Sequence, residues 1–242
     1  MILVIDAGNT QIKLAVFEES TLLQKNIFPY NDWQNEMKNC LKIFKKIKKI
    51  IISSVGKLEN KHFLDFLTDY EVHFITKDYS FPFTNLYQTP NSLGIDRMIL
   101  ASGAILQFPT KNRLIIDAGT CVTYDFIDEN DNYLGGAISP GIRLRYESLH
   151  NYTAKLPLLE KLEPNEIIGN STNNSIHSGV VNGISLEIDG FINTYSSKYE
   201  NFIIILTGGD ADFLAKRLKN TIFANSNFLL ESLNQTFQYN QK

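Results

Sequence analysis

Short apolar runs closed by polar turns dominate the start of the chain and predict strands. Ile2-Leu3-Val4-Ile5 runs into Asp6, and the extended stretches Ile12 to Phe17 and Leu22 to Phe28 follow, so the chain opens with a three-strand meander. The period then changes. Trp33, Met37, Leu41 and Phe44 recur at helical spacing between Asn31 and Lys46, Lys49 to Ser53 is a buried strand, Asn60 to Thr68 a helix, Glu71 to Ile75 a strand and Asp96 to Gln107 a helix. Later the order returns: strands at Leu114 to Ile116, Val122 to Ile127 and Tyr133 to Ile138, a helix from Ile142, and a long helix over Ser175 to Ser196. Strand Phe202 to Leu206, helix Ala211 to Lys219, a short strand near Ile222 and a C-terminal helix complete it.

The two passes share more than their order. Asp6-Ala7-Gly8 and Asp117-Ala118-Gly119 each close a first strand and lie 111 residues apart, nearly half of the 242-residue chain. The pattern β-β-β-α-β-α-β-α therefore occurs twice and predicts an α/β protein of two similar halves, residues 1–110 and 111–242, divided where Pro109 breaks the helix before it. Two such halves are expected to face one another across a ligand-binding cleft.

Composition narrows the classes. With 43% hydrophobic and 20% charged residues the chain is an ordinary globular protein, and a net charge of −3 offers no broad positive field for nucleic acid or anionic lipid. Phe202 to Leu206, the longest later apolar run, falls well short of the roughly 20 residues of a membrane span. Cys40 and Cys121 have no partner at disulfide or zinc spacing, and the N-terminus carries no signal pattern, so a cytoplasmic location is expected. Cys121 is read as a small buried thiol. The lysines at 42, 45, 46, 48 and 49 alternate with Leu41, Phe44 and Ile47 as a solvated helix face.

Candidate chemistry gathers at the glycine turns. In Asp6-Ala7-Gly8-Asn9-Thr10 a glycine lets backbone N–H groups approach an anion, Asn9 and Thr10 supply donors, and Asp6 can hold a divalent cation through water; a plain hairpin is the alternative for one such turn, and duplication weakens it. Neither a Walker nor a Rossmann glycine motif is present. Leu93-Gly94-Ile95-Asp96-Arg97 opens a helix, where Asp96 serves either as a helix-start acid or as a base toward an attacking hydroxyl, and Arg97 suits bidentate recognition of a carboxylate or phosphate. Thr207-Gly208-Gly209 follows the most apolar strand and opens a helix, a place where backbone can pass over a nucleotide. Gly135 to Gly141 leads into a helix carrying Arg143 and Arg145.

Taken together, in this order and spacing, these segments resemble type III pantothenate kinase, of the acetate and sugar kinase/Hsp70/actin superfamily; Thr153-Ala154-Lys155-Leu156-Pro157 and Ser178-Gly179 to Gly183 extend the likeness over nearly the whole chain. The resemblance implies a duplicated ribonuclease H-like fold and ATP-dependent phosphorylation of pantothenate to 4'-phosphopantothenate, the first step of coenzyme A synthesis, in a homodimer. By the same resemblance, Asp6 to Lys13 (Asp6, Ala7, Gly8, Asn9, Thr10, Lys13) form the first phosphate loop, with Asp6 near Mg²⁺. Asp117 holds a monovalent cation, K⁺ or NH₄⁺, and Gly119, Thr120, Gly208 and Gly209 contact ATP. Asp96 is the base, Arg97 binds the pantothenate carboxylate beside Gly94 and Ile95, and Tyr87 and Thr172 make further substrate contacts, Thr172 from across the dimer. A non-catalytic ATP-binding regulator and a kinase with another acceptor are the competing readings; the pairing of Asp96 with Arg97 speaks against the first.

Overall fold

In the computed structural model, which describes residues 1–8, 10–54 and 59–241, the chain divides into two compact units, Met1–Pro109 with Asn227–Lys242, and Thr110–Ser226. Strands β1 (Ile2–Ala7), β2 (Gln11–Glu18), β3 (Thr21–Pro29), β4 (Lys49–Ser54) and β5 (Glu71–Phe74) form the first unit's sheet in the order β3-β2-β1-β4-β5. Consecutive strands pair antiparallel through the opening meander, whereas β4 and β5 run parallel to β1. Parallel strands need crossovers, which helices α1 (Trp33–Ile43) and α2 (Asn60–Phe66) supply.

Alternation in the strands decides which face each helix covers. Leu3, Ile5, Ala7, Ile12, Leu14, Ile50 and Ile52 point one way and pack with Trp33, Met37 and Cys40 of α1 and Phe63 of α2. Trp33 meets Phe63 edge-on with ring centroids 5.2 Å apart. After a two-residue extended piece, β6 (Thr84–Asn85), comes α3 (Ile95–Gln107), in which only Asp96, Leu106 and Gln107 escape burial.

The second unit repeats the plan. Strands β7 (Asn112–Ala118), β8 (Cys121–Ile127), β9 (Asn132–Pro140), β10 (Phe202–Thr207) and β11 (Phe223–Ala224) lie in the order β9-β8-β7-β10-β11, with the same mixture of antiparallel and parallel pairs. Even the bulges match: the register shifts after the sixth residue of β2, between Val16 and Phe17, and after the sixth residue of β8, between Phe126 and Ile127. Helices α4 (Ile142–Asn151), α5 (Thr172–His177), α6 (Gly183–Ser196) and α7 (Ala211–Ala215) cover the face made by Leu114, Ile116, Val122, Tyr124 and Leu206.

Three features differ from expectation. The long helix is interrupted by a π-turn at Ser178–Asn182, which contains Gly179 and is followed by Gly183, both of whose α-carbons face open space. The helix expected over Ala211 to Lys219 stops at Ala215. The last helix, α8 (Phe228–Tyr239), assigned by the 110/111 division to the second half, instead packs on β1, β2 and β4 of the first unit and against α3. Its burial of Phe228, Leu230, Leu233 and Phe237 explains this, because that face of the first sheet is apolar at Val4, Ala15 and Ile51. At the α3–α8 crossing a Cβ on Gly103 would stand 1.8 Å from Ser232 Oγ, so the glycine sets how closely the helices approach.

Candidate active site

In the first unit the candidate groups collect where β1 ends and α3 begins. Asp6, the fifth residue of β1, is 2% exposed, and its Oδ2 lies 3.3 Å from Nζ of Lys13, its antiparallel partner on β2. Burial raises the Asp6 pKa above its ordinary value of 3.8; Lys13 opposes the shift and the nearby Asp96 carboxylate adds to it. The buried Asp6, with the Asp96 carboxylate near enough to raise its pKa, is the group of this unit that could hold a cation. The Gly8 N–H donates to the Gln11 carbonyl (3.1 Å), closing the turn, and the Tyr30 hydroxyl donates to the Gly8 carbonyl from the end of β3. Thr10 is exposed beside them, and Asn9 lies outside the described residues.

Gly94 caps α3 with extended backbone, Ile95 is its buried first residue, and Asp96 its second. The Asp96 side chain folds back so that Oδ1 accepts the Arg97 N–H at 2.9 Å and sits where a Gly94 Cβ would be, 2.4 Å away. Arg97, 7% exposed, lays its guanidinium over the Tyr87 ring at 5.9 Å from the centroid. Asp6, Lys13, Tyr87, Gly94, Asp96 and Arg97 are thus one neighbourhood of the first unit.

A second neighbourhood lies in the other unit. The Gly119 N–H donates to the Cys121 carbonyl (2.9 Å), and Gly141 N–H to the Thr120 carbonyl (3.1 Å). Gly208 has φ +98°, and a Cβ there would stand 2.4 Å from the Ala118 carbonyl oxygen and 2.5 Å from Asp117 Oδ1. The end of β10 therefore presses on the second turn, and the Asp210 N–H donates to the Ala118 carbonyl (2.9 Å). Gly209, by contrast, faces open space. Arg145 ties the glycine segment to α6, through Pro140 O, Ser139 Oγ and Glu187, which makes it a brace.

Thr172 stands apart as the exposed first residue of α5. It lines an open groove of about 470 Å³ with Leu149, Leu156, Ser175, Ile176 and Gly179, and no residue of the second turn lines that groove. Cys121, expected to be buried, is exposed at the edge of the second turn, while Cys40 is buried in the α1 core; the turn's shortness leaves β8's first residue in solvent. Tyr30 carries no signal of its own in the sequence, since its contact with Gly8 depends on β3 lying beside the turn. Among the described residues no three His, Cys, Asp or Glu side chains gather around a point.

The five strands of each unit follow the same order, with an aspartate–glycine turn after the first, and this duplication defines the ribonuclease H-like fold of the actin-like ATPases. Solved structures agree: a Campylobacter jejuni protein assigned to the Baf family of transcriptional activators aligns over 99% of this chain and 98% of its own at TM-score 0.65 and 23% identity. An inorganic polyphosphate/ATP-glucomannokinase from Arthrobacter aligns over 98% of both at TM-score 0.52 and 12% identity, a likeness of fold. The family model for type III pantothenate kinase matches residues 2–194. Proteins named type III pantothenate kinase from Flavobacterium johnsoniae and Christiangramia forsetii are 64% and 48% identical, covering 99% and 100% of this chain and 98% and 99% of their own. The chain belongs to the type III pantothenate kinase family.

Proposed function

We propose that this chain phosphorylates pantothenate with ATP, at the entry to coenzyme A biosynthesis, and that the cluster at the start of α3 carries the chemistry. The observation that carries this reading is the junction of a buried Asp6, its Lys13 neighbour, Asp96 and the Arg97–Tyr87 pair at one strand end. Phosphoryl transfer asks for positioning and for neutralised charge more than for covalent chemistry. Lys13 and the Gly8 turn receive phosphate oxygens, and Asp6 takes a water of the divalent ion that accompanies ATP. Bound Mg²⁺ would neutralise charge on the phosphates.

Arg97 pairs with the pantothenate carboxylate, and stacking on Tyr87 keeps its planar fork in one orientation. Asp96 then accepts the proton of the attacking primary hydroxyl, its carboxylate held by the Arg97 N–H. In the second unit, Asp117 holds a monovalent cation and Gly119, Thr120, Gly208 and Gly209 contact ATP; the close fit of Gly208 against Asp117 supports this grouping. The exposed Leu158, Leu162, Ile167 and Ile168, in the segment that leads to Thr172 along the chain, support a homodimer in which Thr172 reaches the partner's substrate. A cytoplasmic location suits ATP as donor; no helix among the described residues is long and apolar enough to cross a membrane.

The test is ADP release by the purified protein with ATP, Mg²⁺ and K⁺, comparing pantothenate, acetate, a sugar panel and no acceptor. Release that depends on pantothenate and falls when Na⁺ replaces K⁺ is expected. Release with another acceptor alone would overturn the substrate, and ATP binding without any release would favour the regulator.

A further inference from the structure

Ser53 is the partner of Asp6 in the parallel register of β1 and β4, so their side chains leave the same face of the sheet, with Lys13 on the far side of Asp6. This is the face opposite the one that Ile5, Ala7, Ile12 and Ile52 turn toward α1 and α2. Ser53 is 1% exposed, and its hydroxyl oxygen has no hydrogen-bond partner among the described residues. The second unit repeats the arrangement. Thr207 is the parallel partner of Asp117, is likewise 1% exposed, and its Oγ1 also has no partner among the described residues.

A buried hydroxyl with nothing to bind destabilises a fold, and native proteins keep few of them. One could be an accident of packing. Its recurrence beside the turn aspartate in both copies of the sheet, at strand ends where ligands of such folds bind, points to a group kept for a ligand. Ser and Thr hydroxyls both donate and accept, so such a group can serve either a water or a phosphate oxygen, where a further carboxylate would repel phosphate.

We propose that Ser53 is a positioning residue whose hydroxyl, together with Asp6, holds a water of the hydration shell of the divalent ion that enters with ATP. This rests on the phosphotransfer reading above. Magnesium retains several waters when protein and phosphates bind it, so the residues that orient those waters fix where the ion sits. Lys13 already occupies one edge of Asp6, and Ser53 stands on the other.

The experiment is calorimetric binding of a non-hydrolysable ATP analogue across a Mg²⁺ series, with the melting temperature of each ligand-free protein measured beside it, for wild type, Ser53→Ala, Ser53→Cys and Ser53→Thr. Expected for the alanine and cysteine variants is an unchanged or higher ligand-free melting temperature and a Mg²⁺ half-saturation raised ~10-fold, the scale of one hydrogen bond to a charged partner. The threonine variant, which restores the hydroxyl found at the repeated position, is expected to recover most of the affinity. Wild-type Mg²⁺ dependence in the alanine and cysteine variants would overturn the proposal, as would a lowered melting temperature with binding intact. A wild-type protein that binds no Mg²⁺–nucleotide would overturn the phosphotransfer reading and the proposal with it.

Discussion

In the proposed site, Asp6 sets function against stability. Its carboxyl binds a proton more tightly in the folded protein than in the unfolded chain, because burial outweighs the pull of Lys13. The ionised form therefore weakens the fold above the raised pKa, and stability returns as pH falls through that value toward 3.8. Asp6→Asn is expected to melt above wild type at neutral pH, with the gap closing in mild acid, while turnover is lost; an equal gap at every pH would count against the burial argument. Asp96→Asn is expected to lower kcat by about 10²–10⁴, the range of a general base, with the melting temperature and nucleotide affinity kept. The two cysteines offer a plainer check. Cys40 is buried and its pKa is pushed up to about 11 by burial and then by Glu36, so brief alkylation followed by mass spectrometry is expected to label Cys121 alone.

At the scale of elements, two glycines, one in each unit, fix the shape of their own turn for different reasons. Gly208→Ala would force a side chain into a positive φ and into the Ala118 carbonyl, so a loss of about 1–3 kcal/mol and weakened nucleotide binding are expected, read by denaturant unfolding and calorimetry. At Gly94→Ala the one close approach is to the end of the Asp96 side chain, with Arg97 Cγ at ordinary contact distance. There the fold is expected to survive and kcat to fall, because the displaced group is the proposed base. Strands and most helices were legible in the sequence, since the alternation Leu3, Ile5 and the spacing Trp33, Met37 record burial directly. The π-turn at Ser178–Asn182 was not: it leaves the apolar spacing of a long helix nearly intact. Likewise, Asp96 and Arg97 stood out by residue type, whereas Ser53 and Tyr30 acquire meaning only from strands far away in sequence.

The whole molecule is a duplication with an exchanged end. The repeat of Asp-Ala-Gly at 111 residues announced two alike sheets, and β3-β2-β1-β4-β5 against β9-β8-β7-β10-β11 is that announcement in three dimensions. Sequence order alone hid the return of α8 to the first unit, because an amphipathic helix records that it is covered but not by which sheet. A chain ending at residue 226 is accordingly expected to leave the face bearing Val4, Ala15 and Ile51 bare, and to be recovered aggregated or without a cooperative melting transition. A soluble, cooperatively folded truncation would show that α8 is dispensable to the first sheet.

The most direct test joins substrate, site and fold in one measurement: mass-resolved detection of phosphorylated pantothenate made from ATP by wild type and by Asp96→Asn, at matched folding and nucleotide occupancy. Expected is product from wild type and a loss of at least about a hundredfold in the variant. Product formed equally by both would remove Asp96 from the chemistry, and none from either would contradict the assignment of pantothenate as the acceptor.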